Sequence, residues 1–197
     1  MGEQLQRIDW SEGRWTHEPE AAVVDGTHLC VTAREGSDAW RKTSYGFVHD
    51  SEHALLRHLP PGRAVEVDFV AEFSAQFDQA GLFLRADDEH WIKAGVEFAD
   101  GFPQVGAVVT WPLSDWSVAP VPNWLGKVVT VRASRSGDAL TIRAGVDGSL
   151  RLVRVMPVPV DASLDAGPFV CAPTRAGLTT RFTGWREAPA DNALHAE

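Results

Sequence analysis

A carboxylate, an ammonium, a guanidinium, two amides and an indole recur on alternating positions in the middle of this 197-residue chain: Glu97, Lys93, Arg85, Gln79, Gln104 and Trp91. Glu97 is the natural acid or base among them, because Lys93 or Arg85 can tune its ionisation and stabilise charge. Gln79 and Gln104 can take hydroxyl groups, and Trp91 can stack on a sugar ring. Upstream, Glu72 supplies a second carboxylate. Two carboxylates on one face are what acid/base cleavage of a glycosidic bond requires. Across two strand spacings Glu72 and Glu97 are expected about 9–10 Å apart, the long limit for an inverting pair. Downstream, Trp116 adds a second indole, and Asp115 reads either as a ligand acceptor or as a turn cap.

Strands must position these groups. From Asp78 to Val118 the sequence reads as three consecutive antiparallel strands. Ala80, Leu82 and Leu84, then Ile92, Ala94, Val96 and Phe98, then Val105, Ala107, Val109 and Trp111 form one apolar set. Successive side chains of a strand point to opposite faces, so this set looks into a core and the polar set shares the other face. Asp87-Asp88-Glu89 and Asp100-Gly101 are turn sequences, and together they predict a register. Trp91 falls opposite Arg85, Glu97 opposite Gln79 and Gln104, and Gly95 opposite both Gly81 and Gly106. A row of glycines then crosses the strands, where missing side chains are expected to open a trough.

The remaining segments are also strand-like. Val23-Val24 and His28–Ala33 flank Asp25-Gly26, a hairpin signal. Ser37–Tyr45 is polar apart from its aromatics and is expected to cross the edge of the sheets. His49, His53 and His58 read as loop histidines rather than metal ligands. Arg63–Phe73 alternates as one long strand, expected to pair with the Gln79 strand and to bring Asp68 near Arg85. Glu66 and Asp68 read as a solvated strand face. Lys127–Arg135, Ala139–Val146 and Leu150–Met156 form a meander, and Gly167–Ala172 and Leu178–Arg186 close a single domain over residues 1–187. Residues 188–197 are expected to be a flexible tail. No sustained helical period occurs, which makes the chain all-β, a barrel or two packed sheets.

The net charge of −9 disfavours nucleic acid and anionic membranes as partners. No apolar run approaches a membrane span, and a cytoplasmic location is expected. Cys30 and Cys171 sit in apolar strand contexts and read as buried thiols rather than a disulfide. No nucleophile elbow, phosphate loop, dinucleotide fingerprint or paired-cysteine zinc motif appears, so neither cofactor nor metal is expected. Glu66-Val67-Asp68 begins a glucanase-like acidic strand, but Glu72 arrives too late to complete it.

DQAGLFLRADDEHWIKAGVEFADG followed by VVTWPLSDWS resembles the core of the regulation-of-enolase family, a bacterial and fungal group of unknown function. AWRKTSYGF and VCAPTRAGLTTRF resemble its flanking blocks, so the likeness spans about Trp40 to Phe182. The resemblance implies a concanavalin A-like jelly-roll β-sandwich of two antiparallel sheets. Its family-like positions here are Gln79, Gly81, Arg85, Trp91, Lys93, Gly95, Glu97, Asp115 and Trp116. Thr43–Tyr45 is less regular, and ligand contacts are not expected from it. Three functions follow: a module binding a small molecule or sugar on the concave sheet, an enzyme using Glu97 there, or a regulator of a metabolic enzyme through aromatics around Trp111–Trp116.

Overall fold

The computed structural model describes residues 5–195. Its strands begin with β1 (Gln6–Arg7), β2 (Arg14–Trp15), β3 (Ala21–Asp25), β4 (His28–Thr32), β5 (Ala39–Arg41) and β6 (Val48–Asp50). The middle holds β7 (His53–His58), β8 (Arg63–Val70), β9 (Gln79–Arg85), β10 (Trp91–Ala99), β11 (Phe102–Thr110) and β12 (Ser114–Pro120). β13 (Val128–Ser136), β14 (Ala139–Val146), β15 (Ser149–Pro157), β16 (Asp165–Cys171) and β17 (Thr179–Pro189) complete it.

One sheet runs β15-β14-β13-β8-β17-β4-β3, with β1 added along β17; the other runs β12-β11-β10-β9-β16-β7-β2. All pairings within them are antiparallel. Their inner faces share a core in which Val67, Phe69 and Phe182 of the first sheet join Leu82, Leu84 and Ile92 of the second. This is the jelly-roll sandwich that the resemblance implies, and of the barrel or packed sheets that alternation allows it is the packed sheets.

The central meander forms where local chemistry puts it. Asp100 (φ 56°) and Gly101 (φ 89°) supply the paired positive φ values of a tight hairpin turn. The register follows: Gly95 opposes Gly81 and Gly106, and Glu97 opposes Gln79 and Gln104. β3 and β4 form the hairpin expected across Asp25-Gly26.

Long-range choices depart from the sequence reading in three places. β8 pairs with β13 and β17, not with β9, so it belongs to the opposite sheet. Asp68 is therefore held by Arg186 and Thr130 rather than lying near Arg85, and Glu66 is buried beside Arg132. Residues 39–50 do not merely cross an edge: β5 and β6 make a hairpin of their own. The chain also stays anchored beyond residue 187. β17 continues to Pro189, and Asp191 accepts from Arg132 at 2.9 Å.

The small hairpin explains why almost every β9 residue is buried although only alternate ones face the main core. Trp40 and Ala39 cover a second apolar cluster on the outer face of the seven-stranded sheet, with Leu56, Phe83, Trp91 and Phe169. Among the described residues no helix is long and apolar enough to cross a membrane.

Candidate functional site

β9, β10 and β11 carry Gln79, Lys93, Glu97 and Gln104 to one outer-face patch, as their alternation requires. Asp38, just before β5, reaches down to it. Its Oδ1 accepts from Lys93 Nζ at 2.7 Å, from the Ala39 amide at 2.8 Å and from Gln79 Nε2 at 3.4 Å. Burial works against the charge on Lys93, but Asp38 and Glu97 outweigh it and hold the ammonium above its usual pKa. Burial raises Glu97 to about 7, with Lys93 opposing the shift and Asp38 and Asp100 adding to it. Among the described residues no side chain or backbone group hydrogen-bonds the Glu97 carboxylate.

A hollow of about 230 Å³ lies above this patch, floored by Asp38, Lys93, Glu97 and Val108. Its walls are aromatic: Trp40, Tyr45, Phe47, Phe77 and Trp116. Trp40 stands nearly perpendicular to Trp116 (88°) and meets the edge of Tyr45, while Tyr45 stacks on Phe47 at 5.2 Å. The segments supplying the walls hold uncommon backbone. Phe77 has φ 67°, and Lys42 and Ser44 each have φ 62° in the turn between β5 and β6. Bulky residues adopt such angles only where surrounding structure enforces them, and such strain clusters at functional sites. Asp78 is one enforcer. It is fully buried, accepts from the Ser74 and Ala75 amides, and pairs with Arg175 at 2.7 Å. Burial opposes its ionisation, yet Arg175 and those amides hold its carboxyl below the usual range.

The glycine row is in line, but the trough it was expected to cut is not open. The space directly over Gly95 and Gly106 measures about 20 Å³, room for little more than one water. Val108, Trp116, Val118 and Phe169 close it. The glycines answer to close strand approach instead. A Cβ on Gly81 would fall 2.6 Å from Gly95 Cα, one on Gly95 2.8 Å from Gly81 Cα, and one on Gly106 2.7 Å from Val118 Cγ1.

Other expected site residues have different positions. Trp91 is buried and stacks on Phe83 at 5.5 Å, so it offers no free face. Arg85 is committed elsewhere on the outer face, to Asp88 at 2.6 Å and to the buried Glu52 at 3.2 Å. Gln104 lines the small hollow but donates to the Ala99 carbonyl at 3.1 Å. Asp115 projects to the sandwich edge and pairs with Arg154 of β15 at 2.8 Å. Glu72 is exposed beyond the end of β8, in the opposite sheet, so the expected pair of carboxylates is not assembled.

The three histidines do not converge. His53 is buried, its ring bonded to the Arg34 amide and the His17 carbonyl; His49 packs on Phe47, and His58 lies beside Asp165. A different set, His17, Asp50 and Glu52, brings ligand atoms within 4.8 Å of one another. There Arg85 already supplies the cation, 3.2 Å from Glu52 and 3.6 Å from Asp50. Both cysteines are free thiols, and burial pushes Cys171 well up.

Asp38 and the aromatic walls Trp40, Tyr45, Phe47 and Phe77 are the functional candidates that reading the strands alone missed. The available signal was the density of aromatics in an otherwise polar segment after Asp38.

Two antiparallel sheets packed face to face form a concanavalin A-like β-sandwich fold. A legume lectin-like domain from Entamoeba histolytica shares the fold, with a TM-score of 0.63 at 9% identity, covering 95% of this chain and 97% of that one. Residues 15–190 match the model of a protein family of unknown function, DUF1349, and the chain belongs to that family. Regulation of enolase protein 1 of Saccharomyces cerevisiae is 34% identical over 194 residues, 98% of each chain. A crystal structure of a functionally unknown protein from the same yeast superposes with a TM-score of 0.87 at 32% identity, covering 93% of this chain and all of that one.

Proposed function

We propose that this protein is a binding module that holds a small polar ligand, a sugar or sugar derivative, in the aromatic hollow over Glu97. One observation carries the reading: a largely buried carboxylate without a protein partner faces a hollow walled by aromatic rings. A ligand that donates to this carboxylate gains a charge-assisted hydrogen bond in a partly desolvated site. Trp116, about two-fifths exposed, is the stacking face in place of Trp91. The lectin-like fold supports a carbohydrate as the ligand class. Binding is favoured over acid/base catalysis because the other carboxylate in the hollow, Asp38, is occupied by Lys93. No nucleic acid or membrane partner is part of this reading, and its setting is the cytoplasm.

A monosaccharide panel read by thermal shift tests it. A binding sugar should raise the melting temperature and be recovered unchanged, and Trp116→Ala should weaken the response. Turnover of a panel sugar that disappears in Glu97→Gln would replace the binding module with an enzyme.

A regulatory role is a second reading, favoured by the yeast relative's name and by the exposed Tyr45, Phe47, Trp111, Leu113 and Trp116. Titrating purified enolase with the protein tests this reading. Saturable binding lost in a Tyr45→Ala/Trp116→Ala double variant supports it, and no binding removes it.

A further inference from the structure

The polar groups around the hollow are unevenly committed. Gln79 Nε2 donates to Asp38 and to the Phe77 carbonyl, Gln104 Nε2 to Ala99, and Trp40 Nε1 to the Thr43 carbonyl. Lys93 has its charge matched by Asp38. The charge left unmatched in the hollow is that of the Glu97 carboxylate, beneath the faces and edges of aromatic rings. When Glu97 is ionised the floor carries one uncompensated negative charge. Aromatic faces attract cations through their quadrupoles, most strongly where water is excluded. Neutral hydroxyl-rich ligands, in contrast, need a balanced set of donors and acceptors.

We infer that the ligand of this hollow carries a positively charged nitrogen, seated between Trp40, Tyr45 and Trp116 with its charge over Glu97. The inference rests on the reading of the hollow as a ligand site and narrows its ligand class to organic ammonium compounds. The nitrogen can belong to an amino sugar or to an alkylammonium, and the volume of about 230 Å³ limits either to a small molecule. An anionic sugar would meet the one unmatched charge of the floor, the ionised Glu97, and is disfavoured by like charge.

The charges facing Glu97 are Lys93 on its own strand, Asp38 before β5 and Asp100 in the following turn; its neighbours on β9 and β11, Gln79 and Gln104, are neutral. A bound cation favours the ionised carboxylate. Affinity for a permanently charged ligand should therefore rise with pH through the Glu97 pKa, which burial places at about 7. From pH 6 to pH 8 the ionised fraction grows roughly tenfold, and the affinity with it.

Calorimetric titration of the intact chain with glucosamine, choline, glucose and glucuronate tests the inference. Glucosamine or choline should bind at least tenfold more tightly than glucose, with glucuronate the weakest. Glu97→Gln should erase that preference, and Trp116→Ala, which leaves the carboxylate in place, should weaken the cation at least threefold. Tighter glucosamine than choline identifies an amino sugar, and the reverse an alkylammonium. For a choline binder, an affinity that does not change between pH 6 and pH 8 would overturn the role of Glu97. Glucose or glucuronate binding as tightly as the cations would overturn the inference while leaving the sugar site standing. Absence of binding by all four at tens of millimolar would overturn both.

Discussion

On the outer face of the eight-stranded sheet, Asp68 lies 2.6 Å from Arg186 and Glu66 lies 2.9 Å from Arg132. On the outer face of the seven-stranded sheet, Glu97 faces a hollow without a partner. The two faces use the same residue types on the same alternating pattern. In the first, each carboxylate is matched by a guanidinium from a neighbouring strand, and Arg132 and Arg143 also clasp Asp191 beyond the last strand. Such a network holds the sheet and the chain end together. In the second, the Lys93–Asp38 pair is closed and Glu97 is left over, under aromatic rings. Charge on a strand face therefore says little about function until its partners are counted.

Five substitutions sharpen or break this contrast. The largest effect is expected from Gly95→Ala, because a Cβ there runs into the β9 backbone at Gly81 and Ala80. It should cost about 3 kcal/mol in urea denaturation. A loss within about 0.5 kcal/mol would return the glycine row to ligand approach rather than strand packing.

Next comes Asp68→Ala in the matched network, which leaves Arg186 with Glu66 alone. Partial exposure tempers the loss, so about 2 kcal/mol is expected, with ligand response unchanged. A change in ligand binding by this variant would join the two faces functionally.

Glu97→Gln should act in the opposite direction. A carboxyl raised in the folded state contributes its full stability below the unfolded pKa, near 4.5, and loses it as pH rises through about 7. The variant should therefore match the wild type near pH 4.5 and exceed it at pH 8 by on the order of 2 kcal/mol in thermal or urea denaturation. Equal stability at both pH values would show that Glu97 is not held in a desolvated site. In an NMR titration of the Glu97 carboxyl, Lys93→Met should move its pKa further up, since Lys93 is the group opposing the shift.

The smallest effect belongs to Asp115→Ala. Its carboxylate is well exposed at the sandwich edge where it pairs with Arg154, so the loss should stay below about 0.5 kcal/mol in denaturation. Ligand response should also be unaffected, in contrast with Trp116→Ala one residue away.

The hairpins and their registers were legible because they depend on neighbouring residues. Alternation chooses the face of each side chain, and Asp100-Gly101 sets the turn that aligns Glu97 with Gln104. Which strand lies beside β8 was not legible. Its partner β17 comes more than a hundred residues later, and an alternating strand fits either sheet equally well. Trp91 shows the same limit on a smaller scale. Alternation put it on the outer face, but could not tell that Trp40 and Phe83 share its cluster there.

By itself the sequence determined the all-β class, the glycine alignment and the placing of Lys93 and Glu97 on one face, all consequences of a two-residue period and short turns. Only the tertiary structure decided that Asp38, 55 residues before Lys93, would neutralise it, and that the β5–β6 hairpin would roof the sheet with aromatics. Those outcomes depend on which distant segment wins a desolvated position, and that competition is settled by packing across the whole fold.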